Sequence, residues 1–175
     1  MGEVELSLLR PVSPDALLDE EAFARDEFLP YWAELWPAAT AFASALPAVA
    51  GRRVVELGCG LGLPSLVAAA LGAEVTATDW AADAVELLQE NAARNGLALR
   101  AEVRDWREPW PERFDIALAA DVLYERRKVE PLLERLGELA PVAYLGLAGR
   151  PYEAEFLRKA GRAEKIADRV VGLRT

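Results

Sequence analysis

The stretch VVELGCGLGLPSLVAAALGAEVTATDW, Val54 to Trp80, decides the fold. A short apolar run, RRVVEL (52–57), meets three glycines spaced two apart, Gly58, Gly60 and Gly62. LPSLVAAAL then reads as a helix stopped by Gly72, and AEVTATD (73–79) as a second strand ending on Asp79. A glycine-rich turn after the first strand of a parallel sheet lets a ligand lie against the backbone, where a Cβ would collide with it. Asp79 follows Gly58 by 21 residues, the spacing at which an acid ending the next strand accepts hydrogen bonds from ribose hydroxyls. Three glycines alone would also suit a plain tight turn; turn, helix and acid together predict an adenosine site.

The alternation continues beyond this stretch. ADAVELLQENAARN (82–95) is an amphipathic helix with Val85, Leu87 and Leu88 on its apolar side, closed by Gly96. LRAEVRD (99–105) and RFDIALAAD (113–121) read as strands, and VEPLLERLGEL (129–139) as a helix that tolerates Pro131 in its first turn. VAYLGLA (142–148) is a strand, YEAEFLRKA (152–160) a helix ending at Gly161, and AEKIADRVVGLRT one or two last strands. Alternating segments of these lengths predict an α/β fold: a doubly wound, mostly parallel Rossmann-like sheet with helices on both faces and antiparallel strand pairing at the C-terminal end. Residues 15–46 read as helical, with YWAELWPAATAFASAL lying over the ligand edge of the sheet. One domain is expected, with a helical segment over 1–50 and the core over 51–175.

Bulk composition narrows the chemistry. The 175 residues are 53% hydrophobic and 28% charged, which suits a globular chain. A lone Cys59 and the absence of histidine exclude an intramolecular disulfide and argue against a zinc site or a Ser-His or Cys-His nucleophile system. Cys59 itself reads as a small side chain buried under the glycine turn. The start MGEVELSLLRPVSPD lacks a basic-then-apolar leader pattern, and no apolar run approaches the ~18 residues that span a bilayer. The expectation is a cytoplasmic monomer without a membrane partner. Net charge is −9; residues 1–50 hold nine acidic against two basic residues, which leaves −2 for the remainder. Such a surface repels phosphate backbones, so nucleic acid is not expected as a partner. A basic protein or a small molecule fits the charge, and so does solubility alone.

The spacing of the turn separates two adenosine ligands. A dinucleotide fingerprint needs glycine three residues after Gly60, and that position holds Leu63. The pattern present is E-L-G-C-G-L-G, with Glu56 two residues ahead of Gly58. It resembles the first motif of the Rossmann-like methyltransferases that use S-adenosylmethionine (SAM). A carboxylate beside a sulfonium and an ammonium is favourable, whereas beside a pyrophosphate it is not. SAM is therefore the expected cofactor, ahead of NAD.

Further along, ELWPAA (34–39), NAARN (91–95) and DVLY (121–124) resemble the seven-strand lysine methyltransferase family that includes the electron-transfer-flavoprotein β-subunit lysine methyltransferases. The similarity runs from about Tyr31 to Leu133. It implies that Trp36 flanks the cofactor and that Glu56, Gly58, Gly60 and Gly62 hold its methionine part. It further implies that Asp79, with Trp80 beside it, binds the ribose, and that Asp105 faces the adenine amino group. Trp106 would cover the adenine ring and Ala120 border the donor. Asp121 and Tyr124 would be the catalytic pair, lining the acceptor pocket and steering a lysine amine. Trp106 could instead be ordinary core, and Asp121 with Tyr124 a capped turn, though the functional reading comes first for each. ERRKVE (125–130) reads as a solvated helix start before it reads as a grip on an acidic substrate. A protein lysine is the first acceptor expected; a small metabolite, or a SAM-binding module without catalysis, stays open.

Overall fold

Near-continuous apolar runs become the central strands. β1 (Arg53–Leu57) and β4 (Ile116–Ala120) are buried along almost their whole length, as expected for parallel strands covered on both faces. The computed structural model describes residues 4–13 and 30–175. Between β1 and β4 lie α2 (Leu63–Ala70), β2 (Glu74–Asp79), α3 (Ala82–Arg94) and β3 (Arg100–Val103). After β4 come α4 (Val129–Leu139), β5 (Val142–Gly146), α5 (Glu153–Ala160), β6 (Ala163–Ala167) and β7 (Val170–Arg174). Among the described residues one helix, α1 (Pro37–Ser44), precedes the sheet.

The strand order is β3-β2-β1-β4-β5-β7-β6, parallel from β3 to β5 and antiparallel in the two pairings of β7. Winding proceeds outward in one direction from β1 through β2 and β3, and in the other from β4. The order therefore reverses between β1 and β4, and the carboxyl ends of those strands open a crevice. Side chains alternate across the sheet with period two. Val55, Leu57, Ala117 and Ala119 join Leu132, Leu136 and Phe156 of α4 and α5 on one face. Val54, Ile116 and Leu118 join Phe42, Leu46 and Val49 on the other. Each fully buried Leu or Phe contributes roughly 1.5–3 kcal/mol relative to exposure, so the alternation fixes the register of the sheet.

The N-terminal region departs from the helical reading of 15–46. Within the described residues it holds one 3-10 turn, Tyr31–Ala33, and α1; residues 15–29 lie outside the described part. Pro37 explains where α1 begins, since its missing N–H and fixed φ suit a first helical position. Residues 4–13 form no helix or strand and run as a strap along α3. Asn91 accepts the Leu9 N–H (2.6 Å) and donates to the Leu9 carbonyl (3.0 Å). Asn95 does the same for Ser7, at 2.8 Å each way. Two carboxamides four residues apart on one helix face thus imitate a strand edge, and Leu6 and Leu8 settle against the cluster of Cys59, Leu66 and Leu88.

Candidate active site

The glycine turn is built to leave backbone bare. Gly60 has φ 52, and a Cβ there would stand 3.1 Å from the Trp32 carbonyl oxygen; Gly62 has φ 72, and its Cβ would come within 2.3 Å of Leu88 Cδ1. Both positions lie in the left-handed region that a side chain disfavours. The turn is tied to β2 and to itself: the Cys59 N–H donates to the Thr78 carbonyl (2.9 Å), and the Gly62 N–H to the Cys59 carbonyl (2.8 Å). Asp79 closes it, its carboxylate accepting the Gly60 N–H at 2.9 Å and the Ala81 N–H at 3.0 Å. Burial pushes the Asp79 carboxyl up, against the pull of those amides and of the Lys128 charge. Cys59 is buried under the turn as read, in the same cluster as Leu66 and Leu88.

A cavity of about 390 Å³ opens over this turn and runs to the end of β4 and to Arg150 in the loop after β5. Its volume lies within the range of small-molecule sites. Trp36, Gly58, Gly60, Gly62, Asp79, Trp80, Trp106, Ala120, Asp121 and Tyr124 all line it. Trp106 serves the core as well, being 6% exposed and part of the cluster around α4.

Two expected acids stand elsewhere. Glu56 is 1% exposed and lies beneath the turn, not on the cavity wall. Its carboxylate accepts the Ser65 N–H (3.0 Å) and the Ser65 hydroxyl, so it caps the start of α2 from the strand below. Burial pushes its carboxyl up to about 8, opposed by those hydrogen bonds. Asp105 is absent from the wall as well: the Arg107 guanidinium holds it at 2.8–2.9 Å and lowers its pKa.

At the far end, Asp121 sits in the left-handed region with φ 53, its N–H donating to the Gly146 carbonyl at 3.0 Å. Its carboxylate does not cap the turn that follows. Arg150 takes both oxygens, Nε to Oδ1 and Nη2 to Oδ2, at 2.8 Å each. The same guanidinium stands 5.4 Å from the Trp36 ring centroid. Trp36, Tyr31 and Tyr124 form an arc with centroid spacings of 6.2 and 5.3 Å, and the Trp36 indole donates to the Tyr31 carbonyl. At the other end of the arc Lys128 Nζ lies 3.4 Å from the Tyr124 centroid. Burial raises the Tyr124 hydroxyl to about 12, so it keeps its proton, and burial lowers the pKa of Lys128.

Lys128 corrects the reading of ERRKVE as a solvated helix start. Arg126 is exposed in that sense and Arg127, though largely exposed, borders the cavity, but Lys128 turns inward to the cavity and to Glu125 at 3.4 Å. Arg150 and Tyr31 had no role assigned from sequence. Arg150 is 29 residues from its partner, and only the pairing of β4 with β5 brings the two together.

A family model described as lysine methyltransferase matches residues 33–151, more than half of the chain. The chain belongs to that lysine methyltransferase family. Protein N-lysine methyltransferase METTL21A of Mus musculus is 40% identical over 98 residues, covering 51% of this chain and 44% of that protein. EEF1A lysine methyltransferase 3 of Mus musculus is 32% identical over 127 residues, covering 69% and 52%. The chain thus spans about half the length of these relatives. Among solved structures, the 16S rRNA methyltransferase RsmC of T. Thermophilus, in complex with AdoMet and guanosine, superposes with a TM-score of 0.63 at 27% identity, covering 81% of this chain and 44% of that one. The match to the lysine methyltransferase family takes in the cavity wall from Glu34 to Arg150, leaving out Tyr31 and Trp32, so Arg150 lies inside the shared region.

Proposed function

We propose that this chain is a SAM-dependent methyltransferase that transfers a methyl group to the side-chain amine of a protein lysine. The observation that carries the reading is the two-ended cavity within a lysine methyltransferase match: a bare glycine turn with Asp79 at one end, Asp121 and Tyr124 at the other. The residues present fit the donor. The turn leaves space where side chains would intrude, Asp79 offers a carboxylate to ribose hydroxyls, and Trp106 presents a flat apolar face for adenine. Bound there, the donor supplies an electrophilic methyl whose bond to sulfur breaks toward sulfur as the new N–C bond forms.

The chain's own task is alignment, since holding the reacting atoms in line removes much of the barrier. Ala120, the last residue of β4, puts a small side chain on the cavity wall next to Asp121. Tyr124 keeps its proton and offers a hydroxyl that orients the acceptor nitrogen. Asp121, held on both oxygens by Arg150, acts as a fixed part of the acceptor wall. A lysine amine has an ordinary pKa of about 10.4, so its proton leaves to water before attack. The reading gives Glu56 and Asp105 supporting roles: Glu56 fixes the helix that follows the turn, and Asp105 fixes the loop beside Trp106. A cytoplasmic site of action fits the lone cysteine.

The test is incubation of the protein with methyl-labelled SAM and a cell extract, followed by fractionation and peptide mass spectrometry. Label on lysines of proteins is expected. Label confined to small molecules or to RNA overturns the acceptor assignment, and absence of SAM binding by calorimetry overturns the cofactor as well.

A further inference from the structure

Asp121 looks, from its motif, like an anionic bait for a lysine ammonium. The structure removes the bait. Both carboxylate oxygens are taken by Arg150, whose side chain is 34% exposed against 3% for Asp121, so the guanidinium stands between the carboxylate and solvent. Arg150 is launched from a fixed loop: Glu153 accepts the Ala148 N–H at 2.7 Å and the Gly149 N–H at 3.0 and 3.1 Å. Asp121 is equally fixed, by its left-handed backbone.

We propose that Arg150 is a positioning residue that makes the acceptor end select a neutral amine over an ammonium, by occupying the place on Asp121 and Trp36 that a substrate cation would take. The inference rests on the lysine-acceptor reading above. The other charged groups of the wall agree with it. Glu125 is shared between Arg127 (2.5 Å) and Lys128 (3.4 Å), and Glu34 also lines this end. Four acids and three bases line the cavity: Glu34, Asp79, Asp121 and Glu125 against Arg127, Lys128 and Arg150, with Asp79 held at the glycine turn by backbone amides. The aromatic faces of Trp36 and Tyr124, which would attract a cation, each already hold one. An incoming ammonium finds Asp121 and Glu125 already paired and meets the Arg150 charge beside Asp121, whereas a neutral amine meets neither penalty there. The acceptor thus sheds its proton on the way in, which a free Asp121 would oppose by raising the amine pKa.

The experiment uses the donor-free protein, so it does not depend on turnover. Binding of n-butylamine (a cation near neutral pH) and of 1-butanol, its neutral counterpart, is followed by NMR shifts of the Trp36, Tyr31 and Tyr124 side chains. Wild type should bind 1-butanol the more tightly, with butylamine affinity rising as pH climbs toward its pKa. Arg150→Gln should shift the ratio toward butylamine by roughly tenfold, a size typical of removing one close charge. Arg150→Lys should keep the wild-type ratio, and the double variant Asp121→Asn with Arg150→Gln should lose the gain. Preference of the wild type for butylammonium overturns the inference while leaving an amine site in place, and this arm needs no variant to fold. An unchanged ratio in a folded Arg150→Gln also overturns it. Failure of both probes to move the three aromatic signals removes the acceptor pocket itself.

Discussion

The two ends of the cavity are made of different materials. The donor end is backbone: a turn of glycines, amides tied to Asp79, and a buried carboxyl under the helix start. The acceptor end is side chain: an ion pair, three aromatic rings and a lysine, drawn from four separate segments. Backbone geometry is set by residues close in sequence, so the first end is rigid and unforgiving of added atoms. Side chains converging from distant strands can be exchanged singly, so the second end is where acceptor choice is written.

That contrast breaks most visibly at Glu56. Its carboxyl prefers its proton in the folded state, with a pKa of about 8 against an ordinary 4.5. Between those values the unfolded chain is ionised while the native one holds the proton. The stability present below 4.5 is therefore lost as pH rises to about 8, at about 1.4 kcal/mol per unit, with no further loss above. Glu56→Gln keeps a carbonyl oxygen for Ser65 and cannot ionise, so denaturant curves across this range should show most of the slope removed. Asp79, also pushed up by burial, leaves a residual slope at the acid end. An identical pH profile in the variant would show that Glu56 is ionised in the fold.

Next in size is Gly62→Ala. The added carbon meets Leu88, which is fully buried and has nowhere to go, and the backbone must hold φ 72. A loss of roughly 2–4 kcal/mol is expected from the left-handed strain and the overpacking together, read by thermal or chemical unfolding. A near-neutral substitution would show the turn to be softer than the account requires.

The two acids sharpen the comparison directly. Asp79→Ala should weaken SAM binding by roughly 1.5–3 kcal/mol by calorimetry, the range for a hydrogen bond to a charged group. Asp121→Asn should leave that affinity almost untouched and lower turnover. Equal effects of both on donor affinity would merge the ends into one site.

Smallest is the strap. Asn91→Ala removes two hydrogen bonds to Leu9, at about 1 kcal/mol each net of the exchange with water. Faster proteolysis within the first ten residues should accompany a small fall in stability. Unchanged proteolysis would mean that Leu6 and Leu8 hold the strap unaided.

Legibility in the sequence follows the same division. β1, the glycine turn, α2 and Asp79 could be read because their signal is local spacing, and the helix at 129–139 because its apolar period is regular. The mostly parallel sheet with an antiparallel C-terminal edge followed from the alternation of strands and helices, whereas the strand order comes from the structure. Spacing could not tell whether Glu56 pointed up to a ligand or down to Ser65, since both suit an acid near a strand end. Nor could it find Arg150, whose meaning depends on a partner across two strands, or turn Lys128 inward from a run of charges. The extended strap was hidden for another reason: its partners, Asn91 and Asn95, lie 82 and 88 residues on, and a motif that resembled a family signature proved to be a clamp for the chain's own backbone.

The central claim is that donor and acceptor occupy opposite ends of one cavity. A crystal of the protein grown with S-adenosylhomocysteine tests it most directly. The account predicts the ribose against Asp79, the adenine beside Trp106 and the sulfur directed toward Ala120 and Asp121, with Arg150 still on Asp121. A ligand lying the other way round, or seated outside the glycine turn, would contradict it.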